Sequence, residues 1–194
     1  TLLAGSQFLS EILIRHPELL ARLGDVRNLV ERKSADQFYR EANAHVRAAC
    51  LRAQDRGDGV AQYELEDTLR LYQHEELLRI GLCDLAGLLA LPLVTAQLSN
   101  LADALVRVCL EQLAGGSISL DDLAVIAMGK LGGGELNYSS DVDLLFLAQK
   151  NAPAYEPLGR RLIDALSRVT TQGFLYRVDM RLRPWGQVGP LVSS

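Results

Sequence analysis

The sequence predicts an α+β fold, a helical amino-terminal region followed by a small mixed β-sheet with helices. Three observations carry this. From Leu2 to about Leu113 apolar residues recur three and four apart with few β-branched clusters, which is the helical period. After Gly115-Gly116 the texture changes to short continuous apolar runs, the first of them Leu123-Ala124-Val125-Ile126-Ala127-Met128. The 194 residues, 48% hydrophobic and 23% charged, have the balance of a chain that buries a core, which excludes a mainly disordered or fibrous protein. The expected division is a helical region over 1–116 and a mixed α/β unit over 117–194. The second unit is expected to be a cut piece, because Leu191-Val192-Ser193-Ser194 stops just after an apolar pair.

The elements follow in order. His16-Pro17 ends a first helix and starts a second, since proline suits a first helical turn and disfavours helix in its predecessor. Ser34-Ala35-Asp36-Gln37 has the form of a capping box and predicts a helix to about Asp55. Arg56-Gly57-Asp58-Gly59 reads as a turn. Leu65, Leu69, Tyr72, Leu77 and Ile80 make the stripe of a helix ending near Gly81, and a helical pair divided at Pro92 reaches Gly115-Gly116. Strands are expected at Leu123 to Met128, at about Val142 to Ala148, and at Leu175 to Leu182. Between the last two, Pro157 opens a helix whose Leu158, Leu162, Ile163, Leu166 and Val169 share a face, closed by Gly173 in the left-handed conformation.

With 20 basic and 24 acidic residues, a net charge of -4 predicts no general attraction to nucleic acid or to an anionic membrane. The run Leu85 to Leu98 is too short for a bilayer span and is interrupted by Pro92, and no signal-peptide pattern opens the sequence, so no membrane partner is expected. Cys50, Cys83 and Cys109 form neither a CxxC pair nor a disulfide framework; they read as core packing in a reducing, cytoplasmic setting. His16, His45 and His74 show no ligand spacing and read as surface or capping residues.

The chemistry concentrates between the first two strands. Gly129, Gly132, Gly133 and Gly134 let the backbone approach a bulky anion, while Leu131 after Lys130 excludes a Walker loop. Asp141-Val142-Asp143 follows. On a strand such side chains lie on one face about 6 to 7 Å apart at the Cα level, so both carboxylates can converge on hard cations. On the third strand Tyr176, Val178, Met180 and Leu182 take one face, and Arg177, Asp179, Arg181 and Arg183 the other. One carboxylate among three guanidiniums suits a third metal ligand flanked by phosphate clamps. Taken singly, a DxD is more often a solvated strand end and a glycine cluster a plain loop. Their succession in one chain points to two-metal phosphoryl chemistry instead. Lys130 reads equally as a phosphate contact or a solvated charge, and Trp185 as sheet-edge packing more than as a base platform.

The segments GKLGGGELNYSSDVDLLFL and FLYRVDMRLRPWGQVGPLV resemble the nucleotidyltransferase superfamily, and within it the bacterial bifunctional glutamine synthetase adenylyltransferase/adenylyl-removing enzymes. The helical stretches SQFLSEILIRHPELLARL and HEELLRIGLCDLAGLLAL are similar to the front end of the same family, so the likeness covers nearly the whole chain. That family has two nucleotidyltransferase domains, the amino-terminal one removing AMP from glutamine synthetase and the other attaching it. ELNYSSDVD and GPLV are similar to the amino-terminal copy.

The resemblance implies that Asp141, Asp143 and Asp179 bind Mg²⁺ or Mn²⁺ and are catalytic. It implies that Gly129, Lys130, Gly132, Gly133, Ser139, Ser140, Arg181 and Arg183 contact the nucleotide. Gly134 departs from the family, which often has a basic residue there. The implied activity is phosphorolysis of AMP-tyrosine on glutamine synthetase to ADP and free tyrosine, in the cytoplasm. The implied partners are glutamine synthetase, phosphate, an adenine nucleotide and a nitrogen-signalling regulatory protein. The alternatives are attachment of AMP from ATP, or a fragment that binds nucleotide or partner without turnover.

Overall fold

A computed structural model describes residues 5–24, 29–57, 59, 61–182 and 186–194. Helix α1 (Gln7–Arg15) is capped by the Ser6 hydroxyl and stops at His16, as the His16-Pro17 step predicts. The segment after it, Pro17–Gly24, is a 3₁₀-helix. Helix α2 (Ala35–Asp55) has both arms of the Ser34/Gln37 capping box and ends where the sequence places its end. Helix α3 (Gln62–Leu85) runs past Gly81, because Gly81 does not terminate it but admits α1: a Cβ there would collide with the Leu9 side chain. One helix, α4 (Leu91–Ala114), replaces the expected pair, since Pro92 falls in its first turn, where a missing N–H costs nothing, and left-handed Gly115 caps its end. By length and composition α4 is the one described helix apolar enough to cross a bilayer, but most of that surface is buried in this core.

The strands β1 (Leu123–Met128) and β2 (Val142–Ala148) match the apolar runs residue for residue and pair antiparallel. Between them lies one helical turn, α5 (Gly129–Gly132). Helix α6 (Ala152–Ser167) starts five residues before Pro157, which lies inside it, because Pro153 takes the first-turn position. It also ends earlier than expected: Gly173 is left-handed but belongs to a tight turn with Thr170, and Val169 is exposed. The expected third strand shrinks to β3 (Val178–Asp179). Two groups of contacts explain this. The N–H groups of Leu175 and Tyr176 both donate to the Leu166 carbonyl, and Gln73 donates to the Leu175 carbonyl at 2.6 Å, which docks that stretch on the helices. Beyond it, the Arg181 N–H is taken by the Asp179 side chain at 2.8 Å, which ends the ladder. A fourth strand, β4 (Val192–Ser193), has no signal in the sequence at two residues' length. Since β1 takes one edge of β2, β3 and β4 pair in parallel with successive stretches of the other.

This is an α+β fold with one continuous apolar core running from Leu9 through α2, α3 and α4 to the sheet and Val192. Cys83 and Cys109 are buried in it as expected, and all three thiols are free. Helix α3 is its axis and has no exposed residue from Leu69 to Cys83, so it also buries charge. Arg70 is fully enclosed; its guanidinium donates to the Ala165 and Arg168 carbonyls at the end of α6, at 3.1 and 3.0 Å, and faces Glu66 and Asp67. Thr170 donates to Asp67 at 2.7 Å, so α3 fixes the segment that leads into β3.

His74 departs from its expected surface role: it is 8% exposed, and desolvation, with Arg15, Arg70 and His16 nearby, lowers its pKa to about 4. An unfolded histidine titrates near 6.5. Between those values the unfolded chain binds the extra proton, so this contribution is whole above about pH 6.5 and lost as pH falls toward about 4, on the order of 3 kcal/mol in all. Denaturant unfolding of wild type and His74→Gln at about pH 7.5 and about pH 4.5 checks it. The wild type should lose more stability than the variant, and equal losses would contradict the assignment.

Candidate active site

The strand alternation sets the geometry. Val142 pairs with Val178 and turns into the core, so the next pair in register, Asp143 and Asp179, stands on the opposite face of neighbouring strands. Met128, the last residue of β1, is opposite Asp143 on its other side, and the chain turns at once into Gly129. Gly129 has φ +54, and a Cβ on it would overlap the Asp143 carboxylate. Gly132 packs against β1: a Cβ there would stand 2.5 Å from the Ala127 carbonyl oxygen. Two of the loop's glycines are therefore required by packing at the strand end, and the first of them makes room for the Asp143 carboxylate itself.

The next segment is tied to the helices. The Leu136 N–H donates to the Ser99 hydroxyl of α4 at 3.0 Å, and the Tyr138 hydroxyl donates to Asp84 of α3 at 3.2 Å. Burial, then the Asp84 carboxylate, pushes the Tyr138 phenol well above its ordinary pKa, so it stays a donor. The Asn137 side-chain oxygen accepts from the Ser139 N–H and the Ser140 hydroxyl, at 3.1 and 2.8 Å. Ser140 is thus a brace of its own loop, and the turn delivers Asp141 just ahead of β2.

Two arginines hold two of the three acids. Arg177 Nε donates to Asp141 at 2.6 Å and its Nη2 to the Ser139 carbonyl at 2.8 Å, with the guanidinium 5.8 Å from the Phe174 ring centre. Arg181 Nε donates to Asp179 at 2.7 Å. That side-chain bond, then the Arg181 backbone N–H, holds the Asp179 carboxyl below the usual carboxylate range. The same guanidinium is held protonated first by its bond to Asp179, and it also feels the charges of Asp143 and Asp141.

The structure brings Asp143 and Asp179 together and sets Asp141 at the same edge, turned to Arg177. Among the described residues no three acidic, histidine or cysteine side chains are gathered closely enough to hold an ion as they stand. The chemistry of the set nonetheless fits a hard divalent cation: Asp143 and Asp179 are carboxylates in register on neighbouring strands, and the missing Cβ of Gly129 is what admits the Asp143 carboxylate to this edge. Lys130 is exposed on the loop, while Arg183 and Trp185 lie outside the described residues. Sequence reasoning missed Tyr138 and Phe174 and the two arginine–aspartate pairings. Tyr138 and the Arg177–Asp141 pairing depend on contacts across the fold, but Phe174 three residues before Arg177 and the acid two residues before Arg181 were readable local signals.

A family model described as glutamate-ammonia ligase adenylyltransferase matches residues 1–194. Relatives named bifunctional glutamine synthetase adenylyltransferase/adenylyl-removing enzyme include one from Chromobacterium violaceum, 37% identical over 203 residues. Others come from Shewanella loihica, 32% over 217 residues, and Ralstonia nicotianae, 37% over 199. The alignments cover 100%, 100% and 98% of this chain and 22%, 21% and 20% of those proteins, so the chain spans about a fifth of their length.

Proposed function

The chain belongs to the glutamate-ammonia ligase adenylyltransferase family, and we propose that it carries the adenylyl-removing activity, acting in the cytoplasm on adenylylated glutamine synthetase. The observation that carries a nucleotidyltransferase reading is the register of Asp143 on Asp179 beneath Gly129, with Asp141 two residues away. The direction rests on the likeness of ELNYSSDVD and GPLV to the amino-terminal, AMP-removing copy.

In this reading inorganic phosphate attacks the phosphorus of the AMP-tyrosine linkage. The new P–O bond makes ADP, the bond to the tyrosine oxygen breaks, and that oxygen takes up the proton that the attacking hydrogen phosphate gives up. Asp141, Asp143 and Asp179 would hold Mg²⁺ or Mn²⁺, which when bound supplies charge neutralisation of the phosphodiester and of the departing oxygen. Arg181 and Arg177, both exposed at this edge, orient anionic oxygens, and Lys130 adds a third cation. The Asn137–Ser140 turn, anchored on α3 and α4, fixes Asp141 so that alignment rather than covalent catalysis lowers the barrier. No side chain acts as nucleophile.

The test is direct. Incubated with adenylylated glutamine synthetase, phosphate and Mg²⁺, the chain should release ADP in step with loss of AMP-tyrosine. Formation of pyrophosphate from ATP, with no ADP from the modified enzyme, would reverse the direction.

A further inference from the structure

Arg181 and Arg177 hold their acids differently. Arg181 is two residues from Asp179 and takes it with both backbone N–H and side chain, a local turn. Arg177 reaches across 36 residues to Asp141, and it has a second anchor, the Ser139 carbonyl, that does not depend on the carboxylate. We propose that Arg177 switches partners and thereby makes divalent-cation and phosphate-oxyanion binding mutually dependent. It holds Asp141 while no cation is bound and, when that carboxylate turns to a cation, presents its guanidinium to an oxyanion of the phosphate class. This rests on the nucleotidyltransferase reading above.

Three features support the switch. The side chains of Arg177 and Asp141 are 57% and 46% exposed, and a pair so wet is held loosely enough to exchange. The planar fork that now spans a carboxylate and a carbonyl is the shape that grips two phosphate oxygens. The Ser139 anchor and the Phe174 ring keep the freed guanidinium beside Asp141 instead of releasing it to solvent. Charge also balances in the right sense: three carboxylates face two guanidiniums among the described residues, so a cation's arrival leaves the edge positive and receptive to an anion.

The experiment is calorimetric titration of the chain with inorganic phosphate, with and without Mn²⁺. In wild type, Mn²⁺ should tighten phosphate binding about tenfold, and phosphate should tighten Mn²⁺ binding equally. Arg177→Ala should bind Mn²⁺ as tightly or up to about fivefold more tightly, because a competitor for Asp141 is gone, yet keep only about twofold coupling. Arg177→Lys, with the charge but no fork, should also lose most of it. Tenfold coupling retained in Arg177→Ala, or weaker Mn²⁺ binding in that variant, would overturn the switch. Unchanged Mn²⁺ binding in Asp143→Asn would instead remove the cation site itself, a different failure.

Discussion

Replacing Asp143 with asparagine is expected to slow the proposed AMP removal by about a thousandfold or more, the several kcal/mol of charge stabilisation that a cation held at this edge would supply. The substitution keeps the size of the side chain, so the fit under Gly129 survives, and it removes only the charge and one acceptor oxygen. Asp143 is half-buried at the rim of the sheet and its strand neighbours Val142 and Leu144 carry the packing. The melting temperature should therefore stay within about 2 °C of wild type. Turnover near the wild-type rate in a folded Asp143→Asn protein would remove this carboxylate from the chemistry.

The largest effect on stability is expected far from the acids. Arg70→Met should cost about 3–5 kcal/mol, because it leaves the Ala165 and Arg168 carbonyls without their shared donor and takes from the buried Glu66 carboxylate the nearer of its two counter-charges, Arg168 being the other. For a chain of this length that lowers the melting temperature on the order of 10 °C. Glu66→Gln added to Arg70→Met should return part of the loss, since a buried charge short of a counter-charge is dearer than a neutral amide. The consequence reaches the site. Arg70, Asp67 and Gln73 together fix the segment from Arg168 to Leu175, and β3 with Asp179 begins three residues later. A near-silent Arg70→Met would show that β3 is held by other contacts.

What the sequence disclosed follows from the range of the interactions. The bounds of β1 and β2 were readable because each is a short, nearly continuous apolar run bounded by turn residues. The Ser34 cap was readable because a capping box is complete within four residues. The shared face of Asp143 and Asp179 was implied by strand alternation, although only a two-residue pairing supports it. The length of β3 was hidden because its loss depends on Gln73 and Leu166, about a hundred and about ten residues away in the chain. Gly81 looked like a helix end for a similar reason: its role is to receive Leu9, and no local pattern announces an interhelical contact. At the site, residue types and spacing indicated the acids and the glycines. They did not indicate that Arg177 and Arg181 occupy two of those acids, or that Tyr138 and Leu136 lock the loop onto α3 and α4.

The central claim is that this sheet edge is a divalent-cation site, and a crystal structure of the chain grown with Mn²⁺ tests it most directly. The account predicts an anomalous peak between Asp143 and Asp179, with Asp141 swung from Arg177 to join them. Absence of any peak there at saturating Mn²⁺, with both arginine–aspartate pairs intact, would contradict it.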